Sequence, residues 1–241
     1  MHSTARDHGR PAGRPSGRRA GLRLILPDDP ARPVTLARAN GGRIQAGDIT
    51  EAVDTAFRAG YLEVRTQAMF AADTAVFEQA GAIVQSTLVL LERPVNHRER
   101  RPITWRRPHR LVSLDAVAAL DGRAFDTEWR FDRGLLRDAL EATQHHRLVG
   151  FGSIGKPHAY CLAGRSGRHG YIQRLAVAPD RAGNGIGGHL VSDALAWFAR
   201  RRVAVAQVNT EPHNHRALDV YERHGFRAKP SPIYVMAFGP S

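Results

Sequence analysis

The sequence predicts an α/β (α+β) fold, a mixed, twisted central sheet flanked by helices, and three observations carry that prediction. Residues 171–188, YIQRLAVAPDRAGNGIGG, run from an apolar, strand-like stretch through a glycine-rich turn into an amphipathic helix. A second strand–helix pattern follows, apolar over 203–208 and then carrying Asn214, Ala217, Tyr221, Gly225 and Phe226. The first hundred residues faintly echo the last hundred at an offset of 144, pairing Asn40-Gly41 with Asn184-Gly185, Val64 with Val208, Thr66 with Thr210, Glu78 with Glu222 and Gly81 with Gly225.

Residues 1–20 hold five arginines against Asp7, separated by Gly, Pro and Ser; they bury too little apolar surface to fold and read as a disordered tail. Residues 21–95 form the echo. Phe70 stands opposite Asn214 and Phe77 opposite Tyr221, so the polar groups of the later copy are gone. This segment reads as a degenerate, noncatalytic half-repeat that docks on the unit after it. Residues 96–102 read as a linker within an arginine-rich stretch, and a complete unit spans 103–241. That unit begins with a short strand at 103–105, helices near 114–125 and 135–143, and strands near 147–154 and 159–163. The strand at 171–177 stops at Pro179 and Asp180. In the helix that follows, Ile186, Leu190, Val191, Ala194, Leu195 and Phe198 share a face, and Arg200, Arg201 and Arg202 lie where the dipole favours cations.

Composition narrows the class. With 241 residues, 42% of them hydrophobic, the chain has material for a sizeable core. The lone Cys161 excludes an internal disulfide framework, no zinc-ligand spacing occurs, and no metal is expected. The longest apolar runs, such as 86–91, fall far short of a membrane span and no signal-peptide core follows Met1, so the expectation is a soluble, cytoplasmic protein without a membrane partner. The net charge of +12 leaves two readings of the arginine tail: weak contact with nucleic-acid phosphates, or solubilisation.

The glycine turn is the chemical signal. Gly183, Gly185, Gly187 and Gly188 let a backbone approach a ligand closely, and free N–H groups at the following helix start face an anion such as phosphate. A nucleoside-triphosphate loop needs a lysine that is absent. A dinucleotide site wants an acidic residue about 20 positions on, and the residue after the next strand is Asn209.

Together the turn and the NxxAxxxYxxxGF spacing of Asn214, Ala217, Tyr221, Gly225 and Phe226 resemble the GNAT N-acetyltransferase superfamily over roughly the last 140 residues. Its pyrophosphate loop falls on Ala182, Gly183, Asn184, Gly185, Ile186 and Gly187, with Gly188 adjoining; Ala182 departs from the family's Arg or Gln. Arg181 and Arg174 are the cations nearest in sequence that could replace it. The resemblance implies that acetyl-CoA is the co-substrate and that Leu175, Ala176 and Val177 bond its pantetheine arm, with the Val177 N–H as oxyanion donor. Asn214 then bonds a pantetheine amide and Tyr221 acts as general acid toward the leaving thiolate. A phenol of pKa about 10 faces roughly 2 kcal/mol in protonating a thiolate near 8.5, so a strong hydrogen bond precedes full transfer.

A weaker likeness, to the ribosomal-protein alanine N-acetyltransferases, places the general base at Asn209, whose amide cannot take a proton. Glu211, a water held by Asn209 and Gln173, His213 and His215 remain open alternatives. The same likeness puts Phe125 and Trp129 of AFDTEWR beside the acceptor, while a Phe and a Trp four apart also suit plain helical packing. The implied function is acetyl transfer from acetyl-CoA to a primary amine of a protein N-terminus, a lysine or a small molecule. The alternatives are a noncatalytic acetyl-CoA-binding regulator and a nucleic-acid-associated factor acting through its tail.

Overall fold

The structure, a computed structural model, describes residues 18–19, 21–27, 31–38, 43–100, 108–110, 113–153 and 155–239. The tail as far as residue 17, the expected strand at 103–105 and the Asn40-Gly41-Gly42 echo lie outside these. At the end of the expected tail, Arg18–Arg19 form a short strand, β1, paired with the next strand.

The N-terminal half continues with β2 (Leu22–Ile25), β3 (Val34–Arg38), α1 (Ala46–Arg58), β4 (Val64–Thr66), β5 (Met69–Phe70), α2 (Ala71–Gln79) and β6 (Ile83–Pro94). The C-terminal half contains β7 (His109–Arg110), α3 (Leu114–Ala124), α4 (Arg133–Glu141), β8 (His145–Ser153), β9 (Lys156–Ser166) and β10 (His169–Val177). It ends with α5 (Ile186–Arg200), β11 (Val205–Thr210), α6 (His215–Arg223), β12 (Arg227–Ala228) and β13 (Ile233–Phe238). Among the described residues, the helices and strands expected from the sequence are present, with ends shifted by a few residues. The Phe125/Trp129 pair is an exception, because α3 stops at Ala124 and Trp129 closes a separate short turn, Thr127–Trp129.

The offset of 144 holds for whole elements. Helix α2 starts at 71 and α6 at 215, a difference of 144, and they end at 79 and 223, again 144 apart. Strand β6, at 83–94, maps onto 227–238, the span of β12 and β13. Gly81 and Gly225 both take positive φ, +92° and +81°, just past their helices.

One continuous sheet runs β1-β2-β3-β4-β13-β6-β11-β10-β9-β8-β7. The parallel pairs β3–β4 and β10–β11 occupy equivalent places about its centre. Their last strands are exchanged: β13 pairs with β4, and β6 pairs with β11. Met236 and Phe238 therefore sit in the core under α1 and α2, and Leu91 and Val95 in the core under α5 and α6. In place of the expected docking, the two halves share one sheet, because each buries an apolar strand supplied by the other.

Candidate active site

Strands β10 and β11 pair only at His169–Val205, Gly170–Ala206 and Tyr171–Gln207 and then part, leaving 172–177 without a strand partner on the β11 side among the described residues. Their other side pairs with β9 throughout, with a bulge between Ile172 and Arg174. The Ala178 N–H donates to the His158 carbonyl at 2.8 Å. Alternation along an antiparallel ladder then turns the backbone groups of Ala176 toward β9, and those of Leu175 and Val177 into the gap. The side chains alternate as well: Ala176 and Ala178 join the core under α3 and α4, whereas Leu175 and Val177 pack against the core under α5 and α6. Between β3 and β4 the corresponding opening is shorter, with only Ala37 and Arg38 beyond the paired residues and Gln67 N–H still bonded to Leu36.

The glycine loop sits at the mouth of this gap. After the short turn Pro179–Arg181, Gly183 and Gly185 take positive φ of +83° and +74°, which side-chain-bearing residues rarely adopt. Gly185 is the N-cap of α5, and no side chain of the described residues caps the first turn, so its N–H groups suit an anion. A Cβ on Gly187 would lie 3.6 Å from Leu175 Cδ2 and 3.8 Å from Val177 Cγ2, which places this first turn against the open edge of β10. Gly183, Asn184 and Gly185 are exposed, Ala182 is half-buried and Ile186 is buried beneath them. Gly188 lies over His224: a Cβ there would approach its Cε1 to 3.0 Å.

Of the two expected replacements for the Ala182 position, Arg174 is turned away from this loop. Arg181 is exposed and lies 3.4 Å from Asp180. Arg174 is turned under the opposite face of the sheet, where its Nε and Nη2 donate to Asp121 at 2.8 and 2.9 Å, between the rings of Phe125 and Phe131. Tyr160 also donates to Asp121, a fully buried carboxylate. The bulge explains the misreading, since it changes the alternation of side chains just before the site.

Tyr221 is 6% exposed, edge-on to Phe226 at 5.8 Å, in the same core cluster as Cys161, with Leu175 and Val177 packed against it. Burial, followed by the nearby Cys161 thiol, pushes its phenol above the ordinary range, and burial pushes Cys161 itself up to about 12. Both groups are thus neutral across the physiological range. Asn214 caps α6, its Oδ1 accepting from Ala217 N–H at 3.1 Å and leaving the amide NH2 for a ligand.

The base candidates are dispersed. Asn209 is exposed on β11 opposite Leu90 of β6. Glu211 lies beyond the end of β11, 3.6 Å from His213; His213 and His215 are exposed. Gln173 donates to the Ala139 carbonyl at 2.6 Å, under α4. Sequence reasoning missed Glu92, a carboxylate that the N-terminal half carries on β6 beside β11. It accepts from Gln207 at 2.6 Å and lies 3.1 Å from Lys229, and the Gln207 hydrogen bond chiefly holds its pKa down. No local pattern marks this residue, because strand exchange alone brings it there. Phe125 stacks on Arg174, and Trp129 packs over Leu88, Leu90, Ile233 and Val235 of the two exchanged strands.

Comparison with known proteins adds three findings. Residues 105–226 match the model of the acetyltransferase (GNAT) family. A mycothiol acetyltransferase of Acidimicrobium ferrooxidans is 32% identical over 126 residues, covering 46% of this chain and 39% of that protein; the match therefore spans well under half of the relative. Two solved structures share the fold over most of the chain. One, described as an acetyltransferase from the GNAT family of Novosphingobium aromaticivorans, has a TM-score of 0.60 and 18% identity over 93% of this chain and 91% of its own. The other, a tandem GNAT protein from the clavulanic acid biosynthesis pathway, has a TM-score of 0.58 and 15% identity over 91% and 79%.

Proposed function

Because the chain belongs to the acetyltransferase (GNAT) family, we propose that it transfers an acetyl group from acetyl-CoA directly to a primary amine. The observation that carries this reading is the gap between β10 and β11, opening beneath an uncapped, glycine-rich helix start. Bound acetyl-CoA supplies an activated acyl group and a thiolate leaving group. The loop 182–188 holds its pyrophosphate by backbone N–H groups, and Asn214 donates to the pantetheine amide.

Along the open edge of β10, Val177 lies nearer that loop and Leu175 nearer the point where the strands meet. From that order we assign to Leu175 the N–H that would meet the thioester oxygen, and to Val177 a contact that would hold the pantetheine arm. This N–H is already aimed where negative charge develops and needs no reorganisation. Tyr221 donates a hydrogen bond to the departing sulfur. The acceptor approaches on the face bearing Asn209 and Glu92. There Glu92, ionised and held by Gln207, takes up the acceptor's proton through water.

The test is thiol release from acetyl-CoA over a panel of protein N-termini, lysine peptides and small amines, with Tyr221→Phe and Glu92→Gln alongside. Acetylated product with at least one amine is expected, reduced in both variants. Coenzyme binding without turnover on any amine would instead favour a noncatalytic regulator, the reading that Ala182 and Asn209 support.

A further inference from the structure

Three successive carbonyls in the turn joining α3 to α4 each accept from a different arginine. The Glu128 carbonyl takes Arg65 of β4 at 3.4 Å, that of Trp129 takes Arg174 of β10 at 2.5 Å, and that of Arg130 takes Arg32 of the N-terminal half. Arg32 also reaches Asp132 at 3.4 Å, with both side chains 17% exposed. Farther along α4, Arg23 of β2 bonds Asp138 at 3.2 Å. Beneath the turn, Trp129 rests on Leu88 and Leu90 of β6. The turn is thus held from one side by the strand that lines the β10–β11 gap, and from the other by the half whose corresponding opening is shorter.

We propose that the N-terminal half is a specificity-determining part of the acceptor site, in which Arg32 and Arg65 are positioning residues that fix residues 125–132 over the acceptor face. This rests on the acetyltransfer reading above for its kinetic meaning, though not for its geometry. A guanidinium donating to a carbonyl fixes backbone rather than side-chain position, so the clamp sets the height of the turn above β6 and β11. Such small displacements near the chemistry are costly in rate. Arg174 couples the clamp to β10, because the guanidinium that holds Trp129 is one residue from Leu175. The charges match this role: Arg65 is also held by Glu63 at 2.5 Å, which leaves it a directed donor rather than a free cation.

The experiment compares the full chain with Arg32→Ala/Arg65→Ala, and with Arg32→Lys/Arg65→Lys as the conservative partner. Amide exchange over 126–132 should quicken about tenfold in the alanine variant and much less in the lysine variant, with α5 unchanged. With the best amine of the panel, KM for the amine should rise about fivefold or more while KM for acetyl-CoA stays within about twofold, and the ranking of amines should change. Unaltered exchange over 126–132, or equal changes in both KM values, would overturn the proposal. If wild-type chain acetylates no amine, the acetyltransfer reading fails, and exchange alone decides whether the clamp exists.

Discussion

Tyr221 meets two demands that pull against each other. A buried phenol holds its proton more tightly, which suits a hydrogen-bond donor, yet it makes full transfer to a thiolate harder than the roughly 2 kcal/mol set by ordinary pKa values. Tyr221→Phe should therefore lower kcat by about 10²-fold with KM for acetyl-CoA nearly unchanged, as steady-state thiol release will show. Since burial raises this pKa, the protonated form persists through pH 10, and no alkaline loss of rate before that point should trace to Tyr221. Gly185 makes a comparable residue-scale case, because at φ +74° a side chain costs about 1–2 kcal/mol. Gly185→Ala should weaken coenzyme A binding, measured by calorimetry, more than it lowers the melting temperature. These positions were legible in the sequence because their spacing along one loop and one helix is local. Arg174 was not: its partners Asp121, Phe125 and Phe131 are 53, 49 and 43 positions away, and the bulge beside it inverts the face that alternation suggests.

At the scale of elements, α6 separates structural from chemical duty. Asn214 caps it through Oδ1, and the proposed cofactor contact uses the amide NH2. Asn214→Ala removes both and should cost about 1 kcal/mol of stability as well as coenzyme affinity. Asn214→Asp keeps the acceptor oxygen, so the melting temperature should hold while KM for acetyl-CoA rises; an unchanged KM in this variant would reduce Asn214 to a cap. Periodicity and turn residues made α5, α6, β10 and β11 readable, since each pattern is written within its own stretch. Strand β6 was visible only as the apolar run 86–91. Its neighbours are set by the exchange with β13, which no pattern inside 83–94 encodes.

For the whole molecule, that exchange makes the two halves thermodynamically dependent. Taking β6 away would leave β11 with an open edge and remove Leu91, fully buried, from the core under α5 and α6; taking β13 away would strip Met236 and Phe238 from the other. Replacing even one such buried side chain by alanine costs about 2–5 kcal/mol, a large share of the stability of a typical domain. The full chain should accordingly unfold in one calorimetric transition rather than two. Residues 103–241, the segment that carries the sequence signature of catalysis, should not fold when produced alone, and adding residues 21–95 in trans should restore structure if the exchanged strands find their places. Native-like near-ultraviolet dichroism and coenzyme A binding by 103–241 alone would show that β6 is dispensable, and that the shared sheet joins two independently stable units.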